Sequence, residues 1–279
     1  MNRVTGEVPE RGLPFSLLEM GGDALLRIEG LSKAFGGLWA VRDYRLFLPE
    51  RVIYGLIGPN GAGKTTIFNL ITGFLEPNGG RIVFAGVDIT GWRPDRIAYL
   101  GIARTFQILQ LYRSLSVEMN LRIAHHKHTR YGFLALLGGL PPYLRQERQA
   151  KAKVCKLLEL FGLERYRTAQ AATLPYGLQR KLDIACALAT EPRLLLLDEP
   201  SCGMNPREAE ELADLIRQVK ERFSLTLIVV EHRMPFLMGL AERIQVLDHG
   251  LLIAEGTPEE VRADPKVIEA YLGVEDAVA

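Results

Sequence analysis

Cysteine is scarce in this sequence and placed without pattern. Cys155, Cys186 and Cys202 are the only three in 279 residues, and no two form a C-x-x-C pair. That argues against a disulfide frame or a zinc site and reads as reduced thiols in a cytosolic protein. Excess charge is also missing. Lys and Arg number 34 against 33 Asp and Glu, a net +1, so no global field favours nucleic acid. Long apolar runs are absent too. The best candidate, Phe133 to Leu140, stops at Pro141-Pro142 and is about half the length that a membrane span needs. Pro9, Gly12 and Pro14 break any apolar run near the start, so no signal peptide is expected, and residues 1–22 read as a loosely held extension. There is no internal repeat, low-complexity tract or sustained heptad. If the protein acts at a membrane, it does so from the surface.

What is present is a globular composition, 48% hydrophobic and 24% charged, long enough to bury a core without disulfides or structural metal. One stretch organises the rest: Gly58, Pro59, Asn60, Gly61, Ala62, Gly63, Lys64, Thr65 and Thr66 fit the spacing G-x-x-x-x-G-K-[ST]. Val52 to Ile57 before it reads as a buried strand, and Lys64 to Ile71 after it has helical spacing. A strand, a glycine loop and a helix N-terminus make an anion cradle, where backbone N–H groups and the helix dipole converge. Lys64 would reach the β- and γ-phosphates of a nucleotide, and Thr65 would ligate Mg²⁺. The plain alternative is a glycine-rich turn.

Strands are expected at Leu25 to Glu29, Leu46 to Leu48, Arg81 to Phe84 and Gly101 to Gln107, and a short helix at Pro94 to Leu100. Between the first two strands, Phe35 and Trp39 read as core or hairpin residues, or as rings able to stack on a base. Strand patterns then vanish until Leu194. Residues 116–124 and 145–161 look helical, with Val154, Leu157, Leu158 and Phe161 on one face. This suggests a helical subdomain from about residue 108 to 190, inserted into an α/β core that spans residues 23–279. Leu194 to Leu197 is an apolar central strand ending in Asp198-Glu199. A helix from Pro206 buries Leu212, Leu215, Ile216 and Val219. Strands at Leu225 to Val230, Ile244 to Leu247 and Leu251 to Ala254 follow, and then two short helices.

Nucleotide hydrolysis needs a metal, a group that activates water and a sensor of the γ-phosphate. Asp198 at a strand end is the expected Mg²⁺ partner of Thr65. Glu199 is placed to polarise the attacking water, Gln107 to help hold metal or water, and His232 to contact the γ-phosphate. Each has a structural reading: a turn or cap for the acids, an ordinary structural histidine for His232.

The order GPNGAGKTT, Gln107, LPYGLQRKLDIACAL from Leu174, LLLLDEP, SCGMN and VEH resembles the ATP-binding cassette of ABC transporters over roughly residues 24–273. The resemblance implies a P-loop NTPase fold with a mixed sheet, an N-terminal antiparallel β part and the inserted helical subdomain. It implies ATP and Mg²⁺ as ligands, and assigns Gly58 to Thr66 to the Walker A loop and Gln107 to the Q-loop. Leu194 to Asp198 matches Walker B, Glu199 the catalytic glutamate, Cys202 to Asn205 the D-loop, His232 the switch histidine and Phe35 the adenine-stacking ring. FGGLWAV, TGFLEPNGG, ARTFQ, GMNP and the terminal AYLG are most similar to ATPase subunits of branched-chain amino acid importers. Such a subunit works as a pair of cassettes, on the cytoplasmic face of the membrane, with permease subunits and indirectly a solute-binding protein. The region of Gln107, Tyr112 and residues 125–145 would meet the permease, though 125–145 also reads as a surface loop.

The resemblance breaks at the signature. Where the family pattern is LSGGQ, this chain has Leu174-Pro175-Tyr176-Gly177-Leu178. Pro175 has neither hydroxyl nor N–H, whereas Gly177 and the helix start beside it keep an anion site toward a partner's nucleotide. Two other readings stay open here: a soluble ABC ATPase of repair or translation, and a poorly active scaffold cassette.

Overall fold

The computed structural model describes residues 24–126 and 141–275. The expected extension at 1–22, the apolar stretch Phe133 to Leu140 and most of 125–145 lie outside them.

Two sheets organise the molecule. The first is antiparallel, in the order β2 (Leu38–Leu48), β1 (Leu26–Phe35), β4 (Gly79–Phe84), β5 (Val87–Asp88). Strands β1 and β2 are much longer than their sequence pattern suggests. Their pairing shifts register between Ile28 and Leu31, and again on either side of Lys33, so the apolar alternation is interrupted while the ladder continues. Gly36 and Gly37 close this hairpin with positive φ.

The second sheet has the order β10 (Leu251–Gly256), β9 (Arg243–Asp248), β3 (Ile53–Ile57), β8 (Thr226–Val230), β7 (Leu194–Asp198), β6 (Ile102–Arg104). All its pairings are parallel except β9 with β10. This is the mixed sheet expected of the resemblance.

The central strands are apolar on both faces because both are covered. Leu195, Leu197, Leu227 and Val229 pack into a core with the helices, whereas Leu194, Leu196, Ile228 and Val230 pack into a second core with the antiparallel sheet. Helix α1 (Lys64–Ile71) lies in that second core through Ile67, Phe68, Leu70 and Ile71. Two consecutive residues of one strand therefore belong to different layers, as the period of two requires.

Between β6 and β7 the described residues contain no named strand. They hold α3 (Val117–His125), α4 (Pro141–Leu160) and α5 (Tyr176–Ala189), whereas α2 (Pro94–Leu100) precedes β6. Val154, Leu157, Leu158 and Phe161 are buried, as their spacing predicts. Helix α6 (Pro206–Phe223) opens on an Asn205–Glu208 capping box and buries Leu212, Leu215, Ile216 and Val219. Short helices α7 (Met234–Leu240), α8 (Pro258–Ala263) and α9 (Pro265–Glu275) complete the described chain. Among the described residues no helix is long and apolar enough to cross a membrane.

Candidate active site

Strands β3, β7 and β8 run parallel, so their C-terminal ends deliver Gly58, Asp198 and Glu231 to one edge of the sheet. Ligands in open α/β sheets bind at that edge. The glycine loop is shaped by close backbone approaches. At Gly63, which caps α1 with φ 104°, a Cβ would run into the Ala40 carbonyl oxygen. At Gly58 a Cβ would strike the Leu247 carbonyl oxygen. Ala62 donates to Pro59 O at 3.2 Å and accepts from Gly250 N–H at 3.0 Å, which locks the loop to the turn after β9. Pro59 is half-buried, Asn60 and Thr65 are exposed, and Thr66 is half-buried.

Helix α1 has no side-chain cap and no acid in its first turn, so its leading N–H groups face the loop without a competing anion. Lys64 is nearly buried there. Its ammonium donates to Gly58 O at 2.6 Å and Pro59 O at 2.8 Å. Burial lowers its pKa, with Glu199 and Asp198 pulling the other way. A desolvated cation beside uncapped helix donors fits a polyphosphate.

Three of the expected side chains meet at Glu199. Gln107 Nε2 donates to Glu199 Oε2 at 3.0 Å, and His232 Nδ1 stands 3.6 Å from Glu199 Oε1. The side chain of Glu199 is 17% exposed and that of His232 46%, so the carboxylate is sheltered while the imidazole reaches solvent. Glu199 itself has φ 46°, a left-handed conformation that non-glycine residues seldom adopt and that turns it away from the line of β7. Gln107 does not end a strand, as the sequence suggests. Strand β6 stops at Arg104, Thr105 N–H still bonds Leu196 O at 2.9 Å, and the chain then bends as the Phe106 ring packs edge-on against Phe74.

Asp198 lies where the pattern requires, but with a partner that the sequence reading missed. Arg104 Nη2 donates to Asp198 Oδ2 at 2.7 Å, and Arg104 Nη1 to Asn69 Oδ1 at 2.6 Å. The Arg104 guanidinium also faces the Phe68 and Phe106 rings. No group of three or more His, Cys, Asp or Glu side chains able to hold a metal is found among the described residues. Thr65 and Asp198 with nucleotide oxygens and water fit Mg²⁺, which takes few protein carboxylates.

Phe35 ends β1 with half its surface exposed, and Lys33 Nζ lies over its ring, 5.5 Å from the centre. Pro175, Tyr176 and Gly177 form the start of α5. Among the described residues no hydrogen bond joins them to Gly58–Thr66. Pro175 is the N-cap and lacks a side-chain acceptor, whereas its carbonyl accepts from Leu178 and Gln179 N–H at 3.0 Å.

Two further residues escaped the sequence reading. Glu231 is buried, and its carboxylate accepts from Ser201 N–H at 2.9 Å, which ties the His232 segment to the segment after Glu199. Arg180, with no side-chain exposure, donates to the Phe106 and Gln107 carbonyls at 2.9 and 3.0 Å. Long-range hydrogen bonds of this kind leave no periodic trace in a sequence.

The fold agrees with comparisons to known proteins. The pattern of the ABC transporter family matches residues 41–202, and that of the branched-chain amino acid ATP-binding cassette transporter matches residues 252–277. The chain is 43% identical over 249 residues to the high-affinity branched-chain amino acid transport ATP-binding protein LivG of Salmonella typhimurium, covering 89% of this chain and 98% of that protein. It is 42% identical over 249 residues to the corresponding BraF of Pseudomonas aeruginosa, with the same coverage. The crystal structure of the ADP conformation of MJ1267, an ATP-binding cassette of an ABC transporter, superposes with a TM-score of 0.78 at 30% identity, covering 90% of this chain and all of that one. With a family pattern over more than half its length and such relatives, the chain belongs to the ABC transporter family, as one of its ATP-hydrolysing cassettes.

Proposed function

We propose that this chain drives uptake of branched-chain amino acids by hydrolysing ATP at the cytoplasmic face of a membrane. The observation that carries the hydrolytic part is the meeting of Gln107, Glu199 and His232 at the sheet edge beside Lys64. The transported class is supported by the likeness to LivG and BraF across nearly the whole chain.

The uncapped start of α1 and Lys64 bind the phosphates, with Lys64 exchanging the Gly58 and Pro59 carbonyls for phosphate oxygens. Phe35 stacks on the base. Thr65 and Asp198 would hold Mg²⁺, which would supply positive charge against the phosphates there. Glu199 accepts the hydrogen bond of the attacking water, Gln107 fixes the Glu199 carboxylate, and exposed His232 reaches the γ-phosphate. The start of α5 points its donors at the nucleotide held by a second cassette, and the exposed side chains of Ile108 and Tyr112 meet the permease. The solute itself, delivered by a solute-binding protein, never touches this chain.

The test is leucine uptake by cells whose only branched-chain importer contains this chain. Uptake is expected to stop in the Glu199→Gln strain. Undiminished uptake in that strain would contradict the proposal.

A further inference from the structure

Arg180 is a guanidinium placed where an apolar side chain would pack at lower cost. Its side chain has no exposure, and its Nε has no partner. The acid Asp183 stands 3.9 Å away. Its two terminal nitrogens instead spread over three oxygens. Nη1 donates to Phe106 O at 2.9 Å, and Nη2 donates to Gln107 O and to the Tyr176 hydroxyl, each at 3.0 Å. A planar fork can hold two successive carbonyls at a fixed spacing, and the single ammonium of lysine cannot.

Those contacts bring together segments with different tasks. Tyr176 opens α5, and its ring lies against Gly203, where a Cβ would stand 3.1 Å from Cε1. Gln107, whose carbonyl Arg180 holds, donates through its own side chain to Glu199 at 3.0 Å. Hydrogen bonds therefore link Tyr176 through Arg180 to the Gln107 backbone, and the Gln107 side chain in turn to Glu199.

We propose that Arg180 is a positioning residue for ATP hydrolysis, which clamps the Gln107 backbone so that its amide holds Glu199. Because Arg180 sits on the signature helix, the clamp joins the surface that meets a partner's nucleotide to this chain's own catalytic glutamate. Displacement of α5 by the partner's nucleotide is thereby felt at Glu199. The inference rests on the roles proposed above for Gln107 and Glu199, and it adds a residue that touches neither water nor phosphate.

A double-mutant cycle on ATP turnover by the full chain tests it, with nucleotide affinity measured in parallel. Arg180→Met is expected to lower kcat about tenfold and to leave the ATP Kd within about twofold, and Gln107→Ala to lower kcat by a similar factor. The double variant should then be no slower than Gln107→Ala alone, since Arg180 acts through Gln107. Arg180→Lys should fall between wild type and Arg180→Met, and it replaces Arg180→Met in the cycle if that variant does not fold. Multiplicative losses in the double variant, about a hundredfold together, would overturn the clamp while leaving the Gln107 role standing. Unchanged turnover in Gln107→Ala would overturn both.

Discussion

Arg104 and Asp198 form a buried ion pair, Nη2 to Oδ2 2.7 Å apart, with side chains 4% and 6% exposed. The pair is part of a wider set of contacts: Arg104 also bonds Asn69 and faces two phenylalanine rings. Asp198 is thus held by one oxygen before any cation arrives. Removing either partner strands a buried charge, which costs about 3–5 kcal/mol. Arg104→Met is expected to lower the melting temperature of the nucleotide-free chain substantially. The double variant Arg104→Met with Asp198→Asn should recover part of that loss, because no buried charge is left without its partner. Denaturant titration of wild type and these two variants checks the order, and a double variant no more stable than Arg104→Met would sink the pairing.

At Gly63 the backbone and its surroundings both demand glycine. Its φ of 104° strains any side chain, and a Cβ would meet the Ala40 carbonyl. Gly63→Ala is expected to cost about 1–3 kcal/mol in strain and to misplace the start of α1. Nucleotide binding should weaken more than tenfold, as read by fluorescence of a labelled ATP analogue. Wild-type affinity in Gly63→Ala would mean that the loop geometry is not what binds phosphate.

Asp183 provides a pH signature for the interior of α5. Burial pushes its carboxyl up to about 6, against the pull of Arg180 and a backbone hydrogen bond from Gln110. The folded chain thus binds its proton more tightly than the unfolded one. Protonated Asp183 favours the fold, and that advantage is lost as pH rises from about 4 to about 6. Over that window the stability of wild type relative to Asp183→Asn should fall by roughly 2–3 kcal/mol. Parallel unfolding curves for the two proteins at pH 4.5 and 6.5 would contradict the assignment.

Pro175 removes a hydroxyl and an N–H from the start of α5, but the donors of the turn after it remain. Pro175→Ser should therefore add a contact, not rebuild a site. A hydrogen bond to a charged group is worth about 1.5–3 kcal/mol, so ATP-driven pairing of cassettes should tighten at least about tenfold. Size-exclusion chromatography in the presence of ATP, in a Glu199→Gln background, reads the change. Unaltered pairing would show that this end of the helix does not touch the partner's phosphates.

The sequence was most informative where local chemistry decides structure. The glycine loop, α1, and the apolar strands β7 and β8 all fall within a residue of their patterns, because each is set by burial on both faces or by a phosphate cradle. The long hairpin of β1 and β2 was only half legible, since its bulges break the alternation on which strand recognition depends. Of the site, Glu199, His232 and Gln107 were legible through spacing and resemblance, and the structure adds that they touch. Arg104, Arg180 and Glu231 were not. Their partners lie 94, 74 and 30 residues away, and nothing in a single sequence marks such pairs.

The central claim, that Glu199 held by Gln107 polarises the attacking water, is tested most directly by comparing ATP binding and ATP turnover in Glu199→Gln. The amide keeps the shape of the carboxylate and its place beside Gln107, but it cannot draw a proton from water. Turnover should fall by about a hundredfold or more, with the ATP Kd within about threefold of wild type. Turnover within threefold of wild type would contradict the account, since the water would then be activated elsewhere.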